Sequence, residues 1–171
     1  DAIVAAHLTD PSPIPVLLPD TGPANALAFD SAGRRLLCGM RDGRVQIRRL
    51  PDFRPDGPVL SHTQPVRAAL FVSGEQRLFT VTEDRQIRLW DLSDGHLLRS
   101  AVAHRGDIMD WALDPRNQQC ATAAFDNVAR VWNLEESSAP LLTLPHPAAV
   151  LALRYAPGGD VLVTGCQDGR T

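Results

Sequence analysis

Apolar residues along this chain fall in short runs separated by turn residues, not at helical spacing. The pattern is clearest between His104 and Leu144. Ile108–Leu113 is rich in apolar residues and closes on Asp114-Pro115, a turn pair. Gln119–Ala124 forms a second run, and Val128–Trp132 alternates with the two-residue period of a half-buried strand. Leu141–Leu144 follows a polar turn, Glu135-Glu136-Ser137-Ser138. Short strands bounded by turns, with no stretch holding helical spacing, predict an all-β chain.

The same pattern recurs. Asp1, Asp42, Asp84, Asp126 and Asp168 each sit in a tight-turn context, the last four spaced 42 residues apart and the first 41 from the next. Gly43 and Gly169 follow two of them as Asp-Gly turns, and Ala2, Arg85 and Asn127 follow the others. Twenty-two residues before the turn aspartates stand Asp20, His62, His104 and His146; four before stand Cys38, Thr80, Thr122 and Thr164. Six after stand His7, Arg48, Trp90 and Trp132. A fixed period of this length signals a repeat architecture, and four short strands per period fit one blade of a β-propeller. The expected fold class is therefore an all-β propeller of four-stranded antiparallel blades, spanning 1–171. Its parts are outer strands at 1–18, complete repeats at 19–60, 61–102 and 103–144, and the inner strands of a further repeat at 145–171. The first complete repeat lacks both His and Trp and is degenerate.

Charge and composition narrow the partners. The net charge is −3, and all 17 basic residues are Arg, with no basic stripe of the kind a nucleic-acid backbone requires. A Lys-free composition suggests a GC-rich, bacterial gene. Cys38, Cys120 and Cys166 are odd in number and form no CxxC pair, which argues against a disulfide framework or a zinc site and for buried thiols in a reducing compartment. The first residues, opening on Asp and interrupted by Pro, do not read as a signal peptide, and no apolar run approaches the roughly 20 residues that span a bilayer. These features predict a cytoplasmic protein with no cofactor, metal, nucleic-acid, membrane or small-molecule partner.

The segment IRLWDL (Ile87–Leu92), its copy ARVWNL (Ala129–Leu134), and the His-to-Asp spacing resemble the WD-repeat family over the whole chain. Ser61, Ala103 and Pro145 replace the glycine that precedes the family's histidine. The resemblance implies a ring usually of about seven blades, of which this chain is a part. It also implies hydrogen-bonded tetrads of His62, Thr80, Asp84 and Trp90, and of His104, Thr122, Asp126 and Trp132, with His146, Thr164 and Asp168 as an incomplete third. Buried imidazole, hydroxyl, indole and carboxylate groups need partners, and a closed network supplies them. Thr, His and Asp are also the residue types of a catalytic triad, but an active site is needed once and this set occurs three times. Histidines on separate blades lie too far apart to share a metal ion.

The resemblance further implies partner binding on the top face of the propeller, around the channel mouth. The corresponding positions are Asn25, Arg67, Met109 and Leu151 near the start of the innermost strands, and Arg41, Glu83, Phe125 and Gln167 just before the turn aspartates. Met109 with Phe125 would form an apolar spot flanked by Arg67 and Glu83. Two residues break the repeat. Trp111 replaces Leu27, Ala69 and Leu153 and reads as core filling, with a channel-facing aromatic as the other reading; Asp110 replaces Ala26, Ala68 and Ala152, and either pairs with an Arg or faces the channel. The function expected is a non-catalytic scaffold for partner proteins or peptides. One alternative is the sensor region of a bacterial serine/threonine kinase whose catalytic domain lies outside this chain, because Leu144–Gly159 resembles such regions. A weaker one is a propeller enzyme with a channel-mouth cluster of Arg105, Asp107 and Asp110.

Overall fold

The computed structural model describes residues 3–5, 16–18, 22–72, 74–116, 118–134 and 139–169. Asp1, Ala2, His7, Asp20 and the turn at 135–138, each assigned a place in the repeat above, lie outside the described residues.

Among the described residues every regular element is a strand. β1 (Val4–Ala5) and β2 (Val16–Leu17) form an antiparallel pair. The first full sheet holds β3 (Ala24–Phe29), β4 (Arg35–Met40) and β5 (Arg44–Arg49), with an outer strand broken into β6 (Arg54–Pro55) and β7 (Leu60–Ser61), both paired to β5. Pro55, Gly57 and Pro58 explain the break, since proline cannot donate to a ladder. The second sheet runs β8 (Val66–Val72), β9 (Arg77–Thr82), β10 (Gln86–Asp91) and β11 (Leu97–Val102). The third runs β12 (Ile108–Leu113), β13 (Gln119–Ala124), β14 (Val128–Asn133) and β15 (Leu142–Pro145). β16 (Val150–Tyr155) and β17 (Leu162–Cys166) pair in a final two-stranded sheet. Every pairing is antiparallel and, apart from that of β7 with β5 in the broken outer strand, joins chain neighbours, so each sheet is a meander. The architecture is a partial β-propeller.

One hairpin geometry recurs in all four of these sheets. The residue after each turn aspartate has positive φ: Gly43 at 89°, Arg85 at 64°, Asn127 at 63° and Gly169 at 80°. The amides of Gly43, Arg85 and Gly169 close the turn onto the carbonyls of Met40, Thr82 and Cys166. This is the three-residue hairpin loop with a left-handed last residue, a place glycine fills without strain and asparagine tolerates.

The core lies between sheets. Leu37, Val45, Ile47 and Leu60 of the first sheet pack on Val66, Ala69, Phe71, Leu78 and Trp90 of the second. Phe79, Val81, Ile87 and Leu89 of the second meet Ile108, Cys120, Trp132 and Leu134 of the third. Ala121, Ala123, Ala129 and Val131 of the third meet Val150 and Leu153. The backbone of β3 runs close to β8, and that of β12 close to β16. Between β8 and β12 the larger side chains of Leu70, Trp111 and Leu113 fill the gap. Arg35 adds a polar clasp at one end: it bonds Asp30 and Glu75, both at 3.1 Å, and lies over the Phe71 ring.

Position 43 should be the least tolerant of the four turn positions. A Cβ there would stand 2.3 Å from the His62 carbonyl oxygen, whereas Gly169 has open space. Gly43→Ala is expected to cost about 2–4 kcal/mol through clash and backbone strain together, and Gly169→Ala much less. Denaturant unfolding checks this, and equal midpoints for the two variants would contradict it.

Candidate functional site

Two separate constellations stand at the ends of the strands: the buried histidine networks and a ring of side chains at the start of the inner strands.

In the second sheet, β9 buries Thr80 completely and the neighbouring β10 buries Trp90. The Trp90 indole N–H donates to Thr80 Oγ1 at 3.0 Å. His62 Nε2 lies 2.9 Å from the same oxygen, and His62 Nδ1 lies 2.9 Å from the Gly43 carbonyl. A carbonyl can only accept, so Nδ1 carries the proton, Nε2 is bare, and Thr80 donates to it. One hydroxyl thus accepts from the indole and donates to the imidazole, and the imidazole fastens this sheet to the turn of the sheet before. No hydrogen bond joins Asp84 to His62 among the described residues. Its carboxylate accepts from Thr82 Oγ1 at 2.5 Å and from Arg88 at 3.1 Å. This corrects the tetrad expected for the second repeat: His62, Thr80 and Trp90 join, and Asp84 turns to the hydroxyl and guanidinium beside it.

The third sheet shows why. Ala124 stands where Thr82 stands in the second, so the turn aspartate has no hydroxyl to hold it. Asp126 Oδ1 instead accepts from His104 Nδ1 at 3.0 Å, and Oδ2 accepts from the Arg105 amide at 2.9 Å and from Arg130 at 3.2 Å. His104 Nε2 meets Thr122 Oγ1 at 2.8 Å, and Trp132 donates to that oxygen at 2.9 Å. Here all four residues connect. In the last sheet His146 Nδ1 donates to the Leu144 carbonyl and Nε2 meets Thr164 Oγ1, both at 2.8 Å, while Asp168 sits in the exposed hairpin turn. In the first sheet Cys38 and Arg48 occupy the Thr and Trp places. Arg48 is buried, bonding Gln46 at 2.8 Å and the Phe53 carbonyl at 3.4 Å, and burial pushes the Cys38 thiol up to about 11.

Burial holds His62 and His104 below the usual histidine range, against the opposing pull of the Gly43 carbonyl on the first and Asp126 on the second. Burial opposes ionisation of Asp126, but the Arg105 amide, His104 and Arg130 outweigh it and its pKa is lowered.

The second constellation rests on a backbone feature invisible in the residue pattern. Each inner strand carries a β-bulge near its start, between Ala24 and Ala26, Val66 and Ala68, Ile108 and Asp110, and Val150 and Ala152. The residues inside the four bulges are Asn25, Arg67, Met109 and Leu151. A bulge frees its residue from pairing and re-aims the side chain. Beside them, the amides of Arg41, Glu83, Phe125 and Gln167 donate to the carbonyls of Pro23, Pro65, Asp107 and Ala149 at 2.8–3.0 Å. The two predicted sets are thereby held together at one edge, sheet after sheet.

Five side chains on this edge line one open recess of about 350 Å³: Asn25, Arg41, Arg67, Glu83 and Trp111. Met109 and Phe125 do not line this recess, although Phe125 is 49% exposed. Leu151 and Gln167 stand on the last sheet, also outside the recess. Trp111 both packs on the core between the second and third sheets and presents a wall to the recess. Asp110 takes the first of its two readings, pairing with an Arg: Oδ2 accepts from the Leu153 amide at 2.9 Å and pairs with Arg154 at 2.5 Å, tying the third sheet to the last. Asp107 pairs with Arg85 at 3.4 Å and Arg105 gives its amide to Asp126, so the cluster of Arg105, Asp107 and Asp110 is dispersed among three partners.

A run of antiparallel meanders packed face to face, each with a bulge near the start of its inner strand, defines a partial β-propeller. The chain belongs to the WD-repeat family: the family model described as WD domain, G-beta repeat, matches residues 53–91, 95–133 and 138–171. A search of curated proteins finds no match. No helix among the described residues is long and apolar enough to cross a membrane.

Two expectations follow from the histidine networks. Thr122→Val removes a hydroxyl that serves two buried partners and should cost about 1–3 kcal/mol, with Thr80→Val similar. Thr164→Val, at a half-buried position bonded to His146 alone, should cost less. Equal losses at Thr122 and Thr164 would contradict the geometry. The pH dependence has a definite sign. A histidine kept neutral by burial binds its proton more readily in the unfolded chain, so stability is full above the ordinary value of 6.5 and declines as pH falls toward the lowered folded values. Melting temperature should therefore drop on acidification from pH 6.5, well before the carboxylates titrate. A His62→Gln, His104→Gln double variant should show a flatter profile there, and an unchanged slope would refute the assignment.

Proposed function

We propose that this chain is a non-catalytic scaffold that binds partner proteins or peptides at the bulged edge of its sheets, as part of a larger propeller ring. WD-repeat domains are in general protein-interaction scaffolds, and the finer reading rests on the recess. The observation that carries it is the convergence of Asn25, Arg41, Arg67, Glu83 and Trp111 from three successive sheets onto one concave surface. None of the five belongs to the histidine networks that hold the sheets, and an aromatic wall beside Arg is the composition of binding hot spots.

The same geometry supports a structural role for the triad-like residues. Thr80 and Thr122 are fully buried and each hydroxyl is already engaged by an indole and an imidazole, so neither is presented at a surface as a nucleophile. The faces at the two ends of the run support continuation of the ring. Leu27 and Phe29 are 57% and 61% exposed, while Phe71, the counterpart of Phe29, is buried against the first sheet. We place the repeats at 19–60, 61–102 and 103–144, with partial repeats on either side.

The test is comparative capture of partners by the tagged full chain. Trp111→Ala and Arg67→Ala should each lower recovery of a bound partner by about tenfold or more, as hot-spot residues do, while Ser93→Ala, on an exposed outer turn, should leave it unchanged. Recovery unaffected by either recess variant would sink the proposed surface.

A further inference from the structure

We infer that the recess takes an acidic anchor: a carboxylate or phosphate group carried on a peptide segment of the partner. This rests on the binding reading above and adds to it the chemistry of what is bound.

Most of the acids near this edge are already satisfied. Around the same edge, Asp42 is held by Arg44 at 2.8 Å, Asp84 by Arg88 at 3.1 Å, Asp126 by Arg130 at 3.2 Å, Asp107 by Arg85 at 3.4 Å and Asp110 by Arg154 at 2.5 Å. Each of these acids has its own guanidinium. Arg41 and Arg67 have no ion pair and no side-chain hydrogen bond among the described residues, and both line the recess. In a chain of net charge −3, two unneutralised guanidinium groups in one concavity are a local reversal of sign. Arg67 is also half-buried on its bulge, so its charge is partly removed from water; Glu83 shares the recess without pairing with it, and the two guanidinium groups outnumber that one carboxylate. A planar guanidinium fork matches the two oxygens of a carboxylate or phosphate, and charge-assisted bonds of this kind are among the stronger polar contacts.

The other three walls refine the ligand. Trp111 offers a flat apolar surface for the stem of an acidic side chain or the residue beside it. Asn25 can both donate and accept. Glu83, likewise unpaired among the described residues, faces the same space and requires a donor, which a peptide supplies through its amides or a neighbouring hydroxyl or cation. In a nucleic acid the donors on the bases come with a continuous run of phosphates, which Glu83 would repel. The absence of a basic stripe elsewhere on the chain weighs the same way. A peptide is therefore favoured over a nucleic acid.

Tryptophan fluorescence gives a direct readout, because Trp90 and Trp132 are buried in the core and Trp111 alone borders the recess. The full chain is titrated with a short end-blocked Gly/Ser peptide carrying central glutamates. Parallel arms use its glutamine twin, its phosphoserine twin, the glutamine twin with a free C-terminal carboxylate, and a single-stranded oligonucleotide. The glutamate peptide should give a saturable signal that weakens as salt screens the contact. Arg41→Gln and Arg67→Gln should each reduce affinity about tenfold without shifting the melting temperature, since neither guanidinium has an ion-pair or hydrogen-bond partner among the described residues. Glu83→Gln should raise affinity. The phosphoserine and free-carboxylate arms distinguish which acidic group fits best. Glutamate and glutamine peptides binding alike would overturn the acidic assignment, as would an oligonucleotide binding more tightly than any peptide, or no response from any acidic peptide. If partner capture still depends on Trp111 and Arg67 in those cases, the recess remains a binding surface and only its chemistry is wrong. If capture is independent of both residues, the surface itself is wrong.

Discussion

Burial of one sheet face against the next is the constraint on which the rest of the structure depends. A four-stranded meander has two faces, and neither can be left to water if both are apolar. Phe79 and Leu37 are buried because another sheet lies over them, and Val163, in the same column of the repeat, is half-exposed because no described sheet does. This requirement fixes the period. Each sheet must present matching faces to its two neighbours, so strand lengths, turns and core positions return in register every 42 residues (Asp42, Asp84, Asp126, Asp168). The threonine hydroxyl at the centre of each histidine network serves the same end. It locks the loop entering a sheet to the strands within it, so that the faces meet at a fixed angle.

Much of this was legible in the sequence. Ile108–Leu113 and Gln119–Ala124 are strands with the bounds that the apolar runs predict, because turn residues stop each run sharply. The His, Thr and Trp columns predict the hydroxyl hub because all three residue types need partners once buried. What the columns could not reveal was competition within a turn. Asp84 and Asp126 share a column, each with an arginine four residues on, yet Thr82 against Ala124 decides whether the carboxylate turns inward to its hydroxyl neighbour or reaches the histidine. A one-residue difference outside the motif overrides the motif.

The recess was half legible for a similar reason. Family position identified Asn25, Arg41, Arg67 and Glu83, but the bulges that free Asn25 and Arg67 leave no mark in hydrophobic periodicity, since a bulge shifts pairing without changing composition. For Trp111 the sequence offers core filling or a channel-facing aromatic, and both hold in part, since it packs on the core and lines the recess. Its size is what lets it do two things: it fills the gap between β8 and β12 and still reaches the surface. The repeating residues therefore account for the scaffold. The departures from repetition, Trp111 and Asp110 among them, account for what differs from one sheet to the next: a wall for the recess, and a clasp between the third sheet and the last.

Site-specific photo-crosslinking tests the central claim most directly, because it reads contact and not affinity. A photoreactive residue placed in turn at Glu83, beside the recess, and at Ser93, on the outer turn, should yield a partner adduct at Glu83 and none at Ser93. Adducts confined to the outer position would contradict the assignment of the bulged edge as the binding face.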